Sequence, residues 1–397
     1  MIPKSDAKAL LPSLQHIPIH TPLLECGTCV DRSHCGGLQI KASLLSCLDH
    51  CTCNDKSKCD VVCPRNPSFV ERIREIRGFG FSDIRKRKKL PFPDLPDTAH
   101  LIYRSPKLAR AVPLDIVAIP FSEVYRRKGR CGVLLTRNEL EEKFKLSRST
   151  KILLTGVEED AHVEQWWGTI DRSGLIQGFQ GLGVICATTP NFSVIADVPR
   201  HDNMHSMKRI GFSWAELHDQ GIPTAIHING RTTFDFERWI NFLRGHREIA
   251  AIAFEFLTGA AQQKRGAEFV EMLLTVAREV GRPLTLIMRG GIQWLPTLSD
   301  HYSKVVTLNS DCTMKTRYRQ KAMLTTSGNL RWHTDRSFDG APLDELFAHN
   351  IALLDTWLKS RRVSRELAMG IQASPSSPQR SESKLQADGE PLQMSLL

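Results

Sequence analysis

The stretch Thr224–Phe256 reads TAIHINGRTTFDFERWINFLRGHREIAAIAFEF: a short β-branched run, a polar turn with one glycine, a segment with helical periodicity, and a second apolar run. Strand-type runs that alternate with helix-type periods are the pattern of β/α units on a parallel sheet. The same alternation extends in both directions. It predicts strands over Asp115–Pro120, Lys151–Thr155, Gly183–Thr188, Thr224–Ile228, Ile249–Phe256, Leu284–Met288 and Lys304–Leu308. Between and after them it predicts helices over Asn138–Leu146, Ala161–Trp167, Met204–Gln220, Phe234–Arg244, Gly266–Val280 and Leu343–Leu358. Seven strands are countable, and the eighth is sought in Phe192–Ala196 or Leu324–Arg331. The expected fold is α/β, a (β/α)8 TIM-like barrel. No G-x-G-x-x-G follows the first strand, which argues against a dinucleotide-binding open sheet.

Outside the barrel the texture changes. Cys26, Cys29, Cys35, Cys47, Cys51, Cys53, Cys59 and Cys63 are eight of the chain's eleven cysteines. Met1–His20 has no apolar run behind a basic start, so no secretory leader is expected and the chain is read as cytoplasmic. In a reducing compartment clustered thiols are metal ligands rather than disulfides. Eight thiolates supply two four-ligand sites, either tetrahedral zinc or iron–sulfur clusters. Only Cys26 and Cys29 have the C-x2-C spacing of a zinc knuckle, whereas a closing Cys63-Pro64 is familiar from iron–sulfur modules, so iron–sulfur is preferred and zinc remains open. The resulting division is an arm over 1–25, a metal module over 26–77, a basic Pro-rich linker over 78–113, the barrel over 114–365 and a disordered tail over 366–397.

The net charge is +10, and no stretch is long and apolar enough to span a bilayer, so no membrane contact is expected. The basic residues gather in two runs, Arg85–Lys89 and Arg126–Arg130 (RRKGR). Either could track the phosphates of RNA or DNA, the expected partner, or serve as a solvated loop.

Barrel enzymes hold their chemistry at the C-terminal ends of the strands. There the sequence offers Asn191, Asp197, His227, Asn229, Glu255, Arg289, Gly290, Gly291 and Asp311. Carboxylates sharing a pocket allow one to act as acid and another as base or nucleophile, so Asp311, Asp197 and Glu255 are the catalytic candidates. Asn191, His227, Asn229 and Arg289 would bind substrate. Gly290-Gly291 would let the backbone approach a ligand. Each has a structural alternative: Asp197 as a cap, Glu255 paired with Arg289 on the next strand, His227 as a hydrogen-bonded core residue.

The motifs TPNFSV at Thr189–Val194, DVPR at Asp197–Arg200 and the GIPTAIH strand resemble an uncharacterised bacterial family found on phages, plasmids and defence islands. More distantly, Arg289-Gly290-Gly291 and Leu308-Asn309-Ser310-Asp311-Cys312 resemble the tRNA-guanine transglycosylase superfamily, whose barrel exchanges a base in nucleic acid through an aspartate nucleophile. That resemblance implies Asp311 as nucleophile and Asp197 as its partner. The superfamily's Asp-Ser-Gly-Gly-Phe-Gln loop is reduced to Gln177-Gly178-Phe179-Gln180 here, and only Cys312 stands where its C-terminal zinc motif would be. Two functions follow: an enzyme modifying a base or nucleoside, or a metal-containing nucleic-acid or partner-binding protein on a catalytically silent barrel. A small-molecule barrel enzyme is a third. Anaerobically purified protein is expected to be brown, with thiolate-to-iron charge-transfer absorption. Colourless protein with two bound zinc ions would decide for zinc, and metal-free fresh protein would remove the ligand assignment.

Overall fold

A computed structural model describes residues 75–103, 108–195, 200–257, 263–336 and 343–362. Eight parallel strands close into a barrel. They are β1 Thr98–Leu101, β2 Ile116–Pro120, β5 Lys151–Thr155, β6 Val184–Thr188, β7 Thr224–His227, β8 Ala251–Glu255, β9 Thr285–Arg289 and β10 Lys304–Asn309. Two antiparallel hairpins stand apart from it: β3 Tyr125–Lys128 with β4 Cys131–Leu134, and β11 Gln320–Leu324 with β12 Leu330–Thr334. The helices are α1 Arg137–Phe144, α2 Asp160–Trp167, α3 Arg172–Gln177, α4 Arg200–Asp219, α5 Thr233–Gly245, α6 Gln263–Val280, α7 Leu295–Ser299, α8 Asp311–Arg317 and α9 Asp344–Ser360.

The seven expected strands all lie in the barrel. The eighth is in neither expected place. It is β1, which pairs with β2 on one side and β10 on the other, with Ala99 opposite Leu308. The barrel therefore begins at Thr98, inside the stretch read as a linker. Leu324–Arg331 belongs instead to the β11–β12 hairpin, and Phe192–Ile195 is loop, with Phe192 and Val194 buried. The eight cysteines, the arm and the tail lie outside the described residues, which take in only residues 75–77 of the module.

Strand parity sorts side chains between two environments. Ala99, Leu101, Ala118, Leu153, Cys186, Ala225, Ala251, Ala253, Ile287, Val306 and Leu308 fill the inside as one cluster. Ile226, Ile252, Phe254, Leu286, Met288 and Val305 face outward, against Met207 and Trp214 of α4, Trp239 and Leu243 of α5, and Leu273 of α6. On the far side Ile119, Ile152 and Leu154 meet Phe144 of α1 and Phe347 and Leu354 of α9. Two helices start on capping boxes, Thr136 with Glu139 and Thr232 with Asp235, which satisfy amides that a helix start leaves unpaired.

The two basic runs part company. In the first, the Arg87 side chain grips both Asp219 oxygens, at 2.7 and 2.8 Å, and its backbone N donates to Glu248. Asp219 ends α4 and Glu248 precedes β8, so this run crosses the barrel at the N-terminal ends of the strands. The second forms the β3–β4 hairpin directly after β2, on the face where strands end, and residues 126–131 are all exposed. Among the described residues no helix is long and apolar enough to cross a membrane.

The alanines leave no slack for a larger neighbour inside a closed sheet. Ala253→Leu should cost about 1–3 kcal/mol by overpacking, seen as a lower urea midpoint with unchanged slope. An unchanged midpoint would mean that the interior is not packed as described.

Candidate active site

The parity that points Ala251 and Ala253 into the barrel carries Glu255 inward at the last position of β8. Arg289 ends β9 and is its direct cross-strand neighbour. The two side chains, 10 % and 18 % exposed, stand with guanidinium Nη1 3.7 Å from Oε1. That distance is an ion pair but too long for a hydrogen bond. On the other side, Asn191 Nδ2 donates to Glu255 Oε2 at 3.4 Å. Asn229 Nδ2 in turn donates to Asn191 Oδ1 and to the Phe192 carbonyl, both at 3.1 Å, and Trp239 Nε1 donates to the Asn229 carbonyl at 2.8 Å. The amides are thus oriented from the core outward.

His227 is buried one strand away. Its Nδ1 lies 2.6 Å from the Thr189 carbonyl, which can only accept, so Nδ1 carries the proton and Nε2 does not. Burial pushes its pKa down to about 4, and the Thr189 carbonyl opposes this only in part, so the ring is neutral at physiological pH. The core-histidine alternative describes it well. Asn191, Ser193, His227, Asn229, Arg231 and Glu255 line one cavity of about 120 Å³, together with apolar groups that include Phe254 and Phe269.

Backbone packing fixes the Asn191 loop. Asn191 N donates to the Gly156 carbonyl at 2.9 Å, and a Cβ on Gly156 would lie 2.1 Å from the Thr189 oxygen. Gly156 is glycine because two loops cross there.

The expected site residues divide. Asn191, His227, Asn229 and Glu255 meet at the cavity, and Arg289 adjoins Glu255. Gly290 and Gly291 take positive φ values of 73° and 67°, but Leu257 and Phe256 occupy the space above them, so the fold itself accounts for both. Asp311 opens α8, where its backbone N–H, one of those a helix start leaves without an intrahelical acceptor, donates to Asn309 Oδ1 at 2.7 Å. Among the described residues no hydrogen bond or ion pair joins it to Glu255. Asp197 lies outside the described residues, as do all eight cysteines expected to bind metal. Among the described residues no group of three or more His, Cys, Asp or Glu side chains could hold a metal ion.

Three residues were not anticipated. Asp160, the first residue of α2, accepts from Ser193 Oγ at 2.6 Å, and its charge is felt at Glu255. It stands five residues beyond the end of β5, too far from a strand end to attract notice. Arg231 lines the cavity. Glu158, two residues before Asp160 in the loop that leads into α2, has a side chain only 6 % exposed, accepts from Ser122 N at 2.9 Å, and lies 3.6 Å from His162 Nδ1. Burial raises its pKa.

No protein-family model matches the chain, and no curated protein matches it. The site's chemistry has to be read from its own geometry.

Burial is the largest influence on Glu255 and raises its pKa; Arg289 and the Asn191 amide pull the other way, and the Asp160 charge adds to the rise. A carboxyl group raised on folding lends stability that is complete below its unfolded value, about 4.3, and is lost as pH rises through the folded value. Glu255→Gln cannot ionise. Its stability relative to the native chain should therefore increase as pH climbs through that window, measured by urea unfolding at several pH values. A difference independent of pH would show that Glu255 is not held protonated.

Proposed function

We propose that the chain is an enzyme acting on a nucleobase or nucleoside, with Glu255 as its acid–base group and the β3–β4 hairpin as a contact for the nucleic-acid backbone. One observation carries the reading: a mostly buried carboxyl at the end of β8, paired loosely with Arg289 and touched by the Asn191 amide. A carboxyl with a raised pKa can hand its proton to a ring nitrogen of a leaving base. The bond from C1′ to the glycosidic nitrogen, a different atom of the same ring system, then breaks, its electron pair leaves with the now neutral base, and the new carboxylate faces a guanidinium only 3.7 Å away. Attack at C1′ by water or by an incoming base completes hydrolysis or exchange. Amide, carboxyl and guanidinium groups also match the mixed donors and acceptors on base edges.

The resemblance to the tRNA-guanine transglycosylase superfamily supports the same substrate class. Its aspartate step would fall to Asp311, which has no described link to the cavity, so the present reading rests on Glu255. The second reading, a nucleic-acid-binding protein on a silent barrel, draws on the hairpin: Arg126, Arg127, Lys128 and Arg130 are all exposed, and Arg126 also pairs with Glu139 at 2.9 Å.

Base release or exchange should be assayed with labelled nucleosides, RNA and single- and double-stranded DNA. Glu255→Gln is expected to lower turnover by at least about a hundredfold while leaving nucleic-acid binding intact. Neutralising residues 126–130 should weaken binding and flatten its salt dependence, with less effect from neutralising 85–89. Turnover unchanged in Glu255→Gln would remove the acid–base assignment; salt-sensitive binding without any turnover would favour the silent barrel.

A further inference from the structure

Three polar side chains that line the Glu255 cavity have their hydrogens already committed to the protein. Asn229 Nδ2 has two hydrogens and two acceptors for them, the Asn191 side-chain oxygen and the Phe192 carbonyl, both at 3.1 Å. A backbone carbonyl only accepts, so this amide cannot be turned round, and Oδ1 is the atom left for a ligand. Ser193 has one hydroxyl hydrogen. It goes to Asp160 Oδ1 at 2.6 Å, which leaves only lone pairs on Oγ. His227 donates from Nδ1 to the Thr189 carbonyl at 2.6 Å, and burial keeps the ring neutral, so Nε2 carries a lone pair and no proton.

The three stand on β7 and on the loops that follow β6 and β7, so the polarity belongs to a wall of the cavity and not to one turn. Donors come from other lining groups. Asn191 Nδ2 spends one hydrogen on Glu255 at 3.4 Å and keeps the other, and Arg231 gives its Nε hydrogen to the Val194 carbonyl at 2.6 Å and keeps those on its terminal nitrogens. A buried acceptor left without a hydrogen is destabilised, so whatever fills the cavity must bring hydrogens to this wall.

We infer that Ser193 Oγ, His227 Nε2 and Asn229 Oδ1 form an acceptor wall that binds a neutral ligand group through at least two O–H or N–H donors of its own. The hydroxyls of a sugar and the amino-bearing edge of a base share that chemistry. An anion does not, because its oxygens would meet lone pairs. The polarity of the wall follows from the protein's own hydrogen bonds; the choice of nucleosides as probes rests on the base reading.

The first measurement needs no ligand. Long-range 1H–15N spectra of the labelled full chain near neutral pH, with His227→Phe to assign the ring, should show a neutral Nδ1–H tautomer. A hydrogen on Nε2 overturns the wall. Calorimetric titrations then compare probes that differ by one donor: adenosine with its 2′-deoxy and 3′-deoxy forms, guanosine with inosine, which lacks only the 2-amino group, and ribose with 2-deoxyribose. Deleting a donor that meets the wall should weaken binding about tenfold, because an acceptor is left buried and unpaired. That penalty should shrink in Ser193→Ala or His227→Phe, and Ser193→Ala keeps the test valid if the buried histidine cannot be replaced. A penalty confined to the deoxy forms assigns the wall to a sugar, and one confined to inosine assigns it to a base. Donor-dependent binding without base release or exchange keeps the wall and counts against the base reading. Binding by none of the probes, affinity indifferent to every deletion, a penalty unchanged in the variants, or tighter binding of inorganic phosphate overturns the proposal.

Discussion

Closure of the sheet by β1 is the constraint on which the remaining features depend. Four residues, Thr98–Leu101, bond to β10 on one edge and β2 on the other, so the sheet has no free edge. Flanking contacts hold that short strand in place. Asp97 O accepts from Thr307 N at 2.9 Å and from Arg362 Nη2 at 2.7 Å, and His100 reaches Asp355 of α9 at 3.1 Å. Once the ring is closed, inward side chains have nowhere to go but the axis. That is why alanine recurs inside and why the last inward residues of β8 and β9 must meet.

The Glu255–Arg289 pair shows how closure becomes electrostatics. Adjacent inward positions at strand ends are neither in bulk water nor sealed in the apolar interior. Burial favours the neutral acid, while the arginine and the amide favour the carboxylate, and here burial prevails. The 3.7 Å separation matters to that outcome. A bidentate contact at hydrogen-bond distance would hold the carboxylate far more firmly and draw its pKa downward.

The core of the fold was legible because its periods are strong. Ile249–Phe256 and Lys151–Thr155 are apolar enough to announce strands, and Phe234–Arg244 has a clear helical stripe. β1 was not legible: Thr98-Ala-His-Leu is short, half polar, and sits behind Pro91, Pro93 and Pro96. Its strand character comes from two neighbours that sequence alone cannot supply. At the site, Glu255, Asn191, His227 and Asn229 could be read from strand ends, since parity and position place them. Asp160 and Arg231 could not, because one opens a helix and the other sits in a loop beyond the strand ends, and their positions depend on tertiary contacts. Nor could the sequence tell that Arg85–Lys89 and Arg126–Arg130 would end up on opposite faces, since that depends on how the chain enters the barrel.

The crossing at Gly156 has a consequence for how such a pocket can change. The carbonyl of Gly156 anchors Asn191, and its missing side chain makes room for the Thr189–Pro190 backbone. The loops after β5 and β6 are therefore interlocked, each shaped to the other's main chain. Transplanting either one alone onto a related barrel would break the joint, whereas moving the two together would carry Asp160, Ser193 and Asn191 as one cassette.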